Sequence, residues 1–304
     1  MCIRDRGASV KVVTGPSGQM YLLKTPYIAE AGIERPIKVY TLSDSQGNPI
    51  STVADFGNNS AGYCQVSCHN EHGCNFTVQH AEVPMHPPYG KMDGSLYYGN
   101  LRGAKSTDTC NGETATTYKP SFTYHGFRYS EVKGIDHTSL TDKDIQKIVV
   151  HANVQGNSKF KSSIPLLNNI QENCIRAQVS NLMSVVTGCT QRDERLGWMG
   201  DAALSAESME LNLDMLALHS NFLQLMVTEL INGTLTDVVP FYRYGGRPAD
   251  PSWSAAFPEI YYRIATYDKN MIFTKQFYPS VMDYLKTTIT VSYTHLTLPT
   301  IYSV

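Results

Sequence analysis

Residues 190–201 read Thr-Gln-Arg-Asp-Glu-Arg-Leu-Gly-Trp-Met-Gly-Asp, and the run that follows, as far as Gly233, holds neither glycine nor proline. The pairing decides how the second half folds: a polar loop hands the chain to a long helical stretch. Leu204, Met209, Leu213, Leu216, Phe222 and Met226 recur along it at roughly helical spacing. The stretch is long enough for roughly eight turns unless it breaks once, and Asp201 is expected at its N-cap. Upstream, Ser163 is a candidate N-cap with Pro165 in the first turn. Ile164, Leu167, Ile170 and Cys174 form one expected buried stripe that leads through Leu182 and Val185 to the loop.

The loop concentrates chemistry. Asp193, Glu194 and Asp201 supply carboxyl groups, Arg192 and Arg195 can hold a neighbouring carboxylate ionised, and Trp198 offers a flat apolar face for a pyranose ring. Cleavage of a glycosidic bond uses such parts. A helix on either side of Gly197-Trp198-Met199-Gly200 would present Glu194 and Asp201 at one helix end.

The string DERLGWMGDA at 193–202 closely resembles the signature of the bacterial-type α-L-rhamnosidases, glycoside hydrolase family 78, whose usual pattern is Asp-Cys-Pro-Gln-Arg-Asp-Glu-Arg-Leu-Gly-Trp-Thr-Gly-Asp-Ala. Nine of the ten residues agree. Just upstream, Cys189 and Gln191 agree as well, whereas Gly188 replaces the family's aspartate and Thr190 its proline. That aspartate is thought to hydrogen-bond rhamnose hydroxyls, so a glycine orients the sugar less firmly.

The resemblance implies an (α/α)6 toroid of helical hairpins and inverting hydrolysis of terminal α-L-rhamnosyl bonds, with Glu194 as general acid. A glutamate beside an apolar indole suits that role, because burial favours retention of its proton. Arg192 and Asp193 either bind sugar hydroxyls or pair with each other. Asp201 contacts substrate, caps the helix, or does both. Trp198 and Trp253 stack on sugar faces or pack in the core. The segment VVPFYRYGGRPADPSWSAAFP at 238–258 resembles the next loop of the family, with Ala255 replacing a common aspartate. No residue matches the family's catalytic base. Asp237, Asp250 and Glu259 are available acids that carry no such resemblance.

The first half reads differently. Val10–Val13, Ile37–Tyr40 and Phe127–Val132 are short strand-like runs separated by Gly, Pro, Asn and Asp, the pattern of an antiparallel β-sandwich. Segments 55–63, 79–83, 94–109 and 118–134 resemble, in the same order, the concanavalin-like domain that precedes the rhamnosidase barrel. His125 and Arg128 are read as strand packing and a buried polar contact. The expected organisation is therefore β plus α: a sandwich over 7–134, then part of the toroid over 135–290. MCIRDR at 1–6 and VSYTHLTLPTIYSV at 291–304 resemble translated sequencing-adapter read-through, so the chain is expected to be a fragment, inactive alone.

Composition narrows the partners. The chain has 304 residues, 42% hydrophobic and 17% charged, with a net charge of −2. There is no basic tract for nucleic acid or anionic lipid and no long apolar run for a membrane span. A neutral rhamnose-containing glycoside or polysaccharide fits, with no cofactor and no metal implied. Beyond Cys2, Cys64, Cys68, Cys74 and Cys110 group in the first half. They read as disulfide formers rather than as a zinc set with His69 or His72. Sequons at Asn58, Asn75 and Asn232 point likewise to a secreted protein. The rival reading is a non-catalytic carbohydrate-binding relative, with Gly188 and Ala255 marking lost activity.

Overall fold

The computed structural model describes residues 11–15, 25–68, 74–112, 117–135, 140–192, 194–242 and 244–295. These fall into two compact units, one of strands (11–15, the described residues of 29–151, and 190–192) and one of helices (25–28, 152–189 and the described residues of 194–295).

The strand unit is built on one long strand, β3 (Pro49–Ser67). It joins β1 (Ile28–Glu34), β2 (Lys38–Ser43), β4 (Cys74–Ala81), β7 (Thr107–Gly112), β8 (Thr117–Tyr118), β9 (His125–Lys133) and β10 (Ile145–Ala152) in an antiparallel sheet of order β1-β10-β3-β9-β4-β7, with β2 and β8 also on β3. A separate ribbon pairs β5 (Val83–Pro84) with β6 (Leu96–Tyr97). The β3–β9 register runs from Thr52↔Val132 to Asp55↔Tyr129 and then shifts to resume at Ser60↔Phe127. At that irregularity Gly57 takes a φ of +77° and donates its N–H to Asp55 Oδ1 at 2.7 Å, a bend for which glycine is suited.

Successive residues of β3 serve opposite faces. Ala54 joins Phe56, Val66, Phe76, Val78, Phe127 and Val132 in the larger core, while Val53 joins Ala81, Leu96 and Tyr129 in a smaller one. Both faces of the curled sheet are thus covered, as a sandwich requires. Burial of each large side chain such as Phe127 contributes about 1.5–3 kcal/mol. Arg128 makes the polar contact expected of it, a two-pronged pair with Asp55 at 2.7 and 2.8 Å. Around the run expected as a strand at Val10–Val13, residues 11–13 are exposed and irregular instead, and no strand of the described residues pairs with them. The sheet also extends beyond Gly134, through β10.

The helical unit holds α1 (Pro165–Ser180), α2 (Met199–Asn212), α3 (Leu216–Glu229), the short α4 (Pro251–Ser254), α5 (Ala256–Tyr267) and α6 (Ile272–His295). The long stretch after the loop breaks once, where Leu213 turns extended and Asp214 donates its N–H to Gln155 O at 2.8 Å. α5 packs on α2, α3 and α6, and Met199, Ala206, Met209, Phe222, Phe257, Ile260 and Phe277 fill the core between them.

Four local expectations need correction. Pro165 does open α1, but Ile164 rather than Ser163 stands at the cap, and Ser162 Oγ accepts the Ile164 N–H at 3.1 Å. The α1 stripe Ile164, Leu167, Ile170 and Cys174 is exposed, because no described element packs over that face. Leu204 is exposed too, at 90%. Trp198 occupies the N-cap of α2, which places Asp201 in the first turn, where its charge still opposes the positive end of the helix. No helix of the described residues is long and apolar enough to cross a membrane.

Cys68 is disulfide-bonded, whereas Cys64, Cys110, Cys174 and Cys189 form no disulfide. His69, His72 and the Cys74 side chain, the rest of the alternative zinc set, lie outside the described residues.

Candidate active site

Two glycines shape the loop that leads into α2. A Cβ on Gly197 would lie 2.1 Å from Val239 O. Without one, the loop runs beside 237–239: Val239 donates its N–H to Gly197 O at 2.9 Å, and Met199 donates its N–H to Asp237 O at 2.9 Å. A Cβ on Gly200 would meet three ring carbons of Trp253 at 2.7–3.0 Å, so the indole lies directly on the first turn of α2. There Trp253 meets Trp198 edge to face, with ring centroids 5.1 Å apart.

Asp237 places the Trp253 helix. Its Oδ1 accepts the Asp250 N–H at 2.9 Å and its Oδ2 the Gly246 N–H at 2.6 Å. Asp250 in turn caps α4, accepting the Ser252 N–H at 2.8 Å, and the Ser252 hydroxyl and backbone hold its carboxyl below the usual carboxylate range. Glu259 is paired with Arg263 at 2.7 Å. All three acids left open as candidate bases thus hold structure in place.

The acid and the indole meet around residues 188–189. The Cys189 thiol donates to Glu194 Oε2 at 3.4 Å. The chain turns directly after Glu194 because Arg195 takes a left-handed φ of 46°, which for a non-glycine residue costs about 1–2 kcal/mol. Leu196 O closes the turn, accepting N–H groups from Gly188 at 3.3 Å and Trp198 at 3.0 Å. A Cβ on Gly188 would lie 3.3 Å from Asp201 Oδ1 and 3.5 Å from Trp198 Cδ1. Next to that carbon, Trp198 Nε1 is buried without a hydrogen-bond partner. A buried donor left unpaired is costly and uncommon, and a ligand acceptor would satisfy it.

Glu194, Trp198, Asp201 and Trp253 therefore belong to one unit, with Trp198 linking the two indoles and the Gly188–Asp201 edge. Arg192 falls with the strand unit, in segment 190–193, and Asp193 lies outside the described residues. The motif alone does not point to Asp237 or to the Cys189 contact. The only hint was the agreement of Cys189 with the wider pattern.

Two family models match the chain: the bacterial α-L-rhamnosidase concanavalin-like domain over residues 45–151 and the bacterial α-L-rhamnosidase 6 hairpin glycosidase domain over 155–299. An α-L-rhamnosidase of Streptomyces avermitilis is 34% identical over 203 residues, covering 64% of this chain and 19% of the relative. One from Alteromonas is 33% identical, over 68% of this chain and 22% of the relative. Among solved structures, the α-L-rhamnosidase from Dictyoglumus thermophilum superposes with a TM-score of 0.82 at 34% identity, covering 92% of this chain and 31% of that one. The Streptomyces avermitilis α-L-rhamnosidase complexed with L-rhamnose gives 0.77 at 27% identity, covering 87% and 25%. The chain thus spans about a fifth of the length of these curated relatives.

Proposed function

Because the chain belongs to the bacterial α-L-rhamnosidase family, we propose that the whole protein hydrolyses terminal α-L-rhamnosyl bonds with inversion and that this chain supplies the acid half of its site. Glu194 donates the proton to the leaving glycosidic oxygen. Trp198 and Trp253 present an apolar wall to the sugar ring, Asp201 accepts from its hydroxyls, and the Trp198 N–H donates to one of them. Arg192 and Asp193 complete the sugar contacts. The observation that carries this reading is the unpartnered buried Trp198 Nε1 beside Gly188 and Asp201, a donor that needs an acceptor of the kind a sugar hydroxyl provides.

Inversion requires a second carboxylate about 6.5–9.5 Å from the first to activate water. No residue of this chain matches the family's base, and Asp237, Asp250 and Glu259 each already hold a partner, so our reading places the base in the rest of the whole protein, with this chain alone turning over little or no substrate. The disulfide at Cys68 and the three sequons support a secreted location. The direct test follows the whole protein on an aryl α-L-rhamnoside by proton NMR: β-L-rhamnose forms first if hydrolysis inverts. The retained anomer as first product would refute the inverting assignment. No turnover on any aryl glycoside, with rhamnose still bound, would favour the carbohydrate-binding alternative that Gly188 raises.

A further inference from the structure

The buried polar groups of the sheet unit include a cluster far in sequence from the motif. His80 on β4, Asp108 on β7 and His125 on β9 come from three neighbouring strands. Among the described residues they are the one group of three His, Cys or acidic side chains whose ligand atoms all lie within 4.8 Å of one another. Both imidazoles aim Nε2 at the same carboxylate: His80 at 3.2 Å from Asp108 Oδ2, and His125 at 3.0 and 3.1 Å from its two oxygens. The rings stack, with centroids 4.3 Å apart and planes 26° from parallel. His80 is fully buried and the Asp108 side chain is 9% exposed.

Each ring is held from behind. His80 Nδ1 lies 3.0 Å from Ser130 Oγ, and His125 Nδ1 lies 3.3 Å from Ser106 Oγ. Ser106 also accepts the His80 backbone N–H at 2.9 Å, and it does so from a left-handed φ of 45°. A hydroxyl that fixes the outer nitrogen of each imidazole is the second layer that oriented metal ligands have.

Charge makes the same point. The buried Lys147 ammonium is engaged by Phe127 O at 2.7 Å, Asn58 O at 3.0 Å and Glu34 at 3.3 Å, while both Asp108 oxygens face imidazoles. A carboxylate so enclosed gains from a cation placed among its partners. Ligands on a tetrahedral ion with bonds of about 2.0–2.2 Å stand about 3.3–3.5 Å apart, a few tenths of an ångström wider than the 3.0–3.2 Å from the Asp108 carboxylate to each imidazole here, and the two rings, stacked 26° from parallel, turn out of their stack for both Nε2 atoms to face one ion.

We propose that His80, Asp108 and His125 form a binding site for one divalent transition ion of the zinc class, cross-linking β4, β7 and β9. Two imidazole nitrogens and one carboxylate oxygen suit zinc rather than calcium or magnesium, and the fourth position is left to water. With each ring ligating through Nε2, Nδ1 carries the ring proton and donates it to the serine hydroxyl behind it.

The test titrates the whole chain, stripped with a chelator, with ZnCl2 and counts bound metal by equilibrium dialysis. The expected result is about one zinc per chain, no uptake of calcium, and with Co2+ the visible absorption of a four-coordinate site. Asp108→Asn and His125→Gln should each lower uptake at least tenfold, and Ser130→Ala should weaken affinity about 10- to 100-fold. A folded wild-type chain that binds no zinc overturns the proposal whatever the variants do. So does undiminished binding in a folded Asp108→Asn chain. Should that variant fail to fold, a six-coordinate Co2+ spectrum in the wild type overturns it instead.

Discussion

Gly200→Ala tests how the two indoles are placed. Position 200 lies in the first turn of α2 with an ordinary helical backbone, where alanine is favoured over glycine by up to about 1 kcal/mol. Sterics oppose it: the added Cβ would meet the Trp253 ring at 2.7, 2.9 and 3.0 Å, against about 3.5–4.0 Å for comfortable carbon contacts. The ring must retreat by close to ~1 Å, and overpacking of that kind costs about 1–3 kcal/mol. The net expectation is a loss of about 1–2 kcal/mol. In a Trp253→Leu background the obstacle is gone, so the same substitution should become neutral or stabilise by a few tenths of a kcal/mol. Urea unfolding of all four chains, followed by far-UV circular dichroism, closes the cycle. If Gly200→Ala costs the same in both backgrounds to within about 0.5 kcal/mol, the indole is not what position 200 makes room for.

Asp237→Ala removes the acceptor of two backbone N–H groups and should destabilise the helical unit by about 2 kcal/mol, read from its urea midpoint. Burial alone would raise the Asp55 pKa, but Arg128 and the Gly57 N–H outweigh it and hold the pKa below 3.8. Its contribution is therefore complete above pH 3.8 and lost as pH falls through the lower folded value. Acid titration should show Arg128→Met removing that acid-dependent loss, and an unchanged profile would contradict it. Gly188→Asp places a carboxylate beside Asp201 and the Trp198 N–H, and in the whole protein it should tighten rhamnose binding about tenfold. Weaker binding by calorimetry would show that the two carboxylates repel more than they bind.

The sequence carried element type well where burial follows a simple period. The α2–α3 stretch is an example, because it buries most of the face that its own pattern describes, while β9, buried on both faces, was legible as a short run of strand-forming residues. It failed where a neighbour decides. The α1 stripe has the right spacing and lies exposed, since periodicity names a face but not what covers it. The cap at Ile164 in place of Ser163 turns on a one-residue shift that propensity does not resolve. In the site, Glu194, Trp198 and Asp201 were legible because the motif is contiguous. Asp237 was not, since its role comes from backbone groups at 246 and 250. The cluster of His80, Asp108 and His125 was also hidden, because its members are assembled only by strand pairing. His125 was legible as a buried polar contact, but its partners were not.

The central claim rests on Glu194 as proton donor, and the most direct measurement is the turnover of Glu194→Gln in the whole protein on two rhamnosides of different leaving-group quality. Glutamine keeps size and hydrogen bonding but gives no proton, so an unactivated rhamnoside should lose about 10²- to 10⁴-fold in kcat. A rhamnoside with a good leaving group should lose much less, while rhamnose binding persists. Equal losses on both substrates would make Glu194 a binding residue, and unchanged turnover on both would remove it from the site.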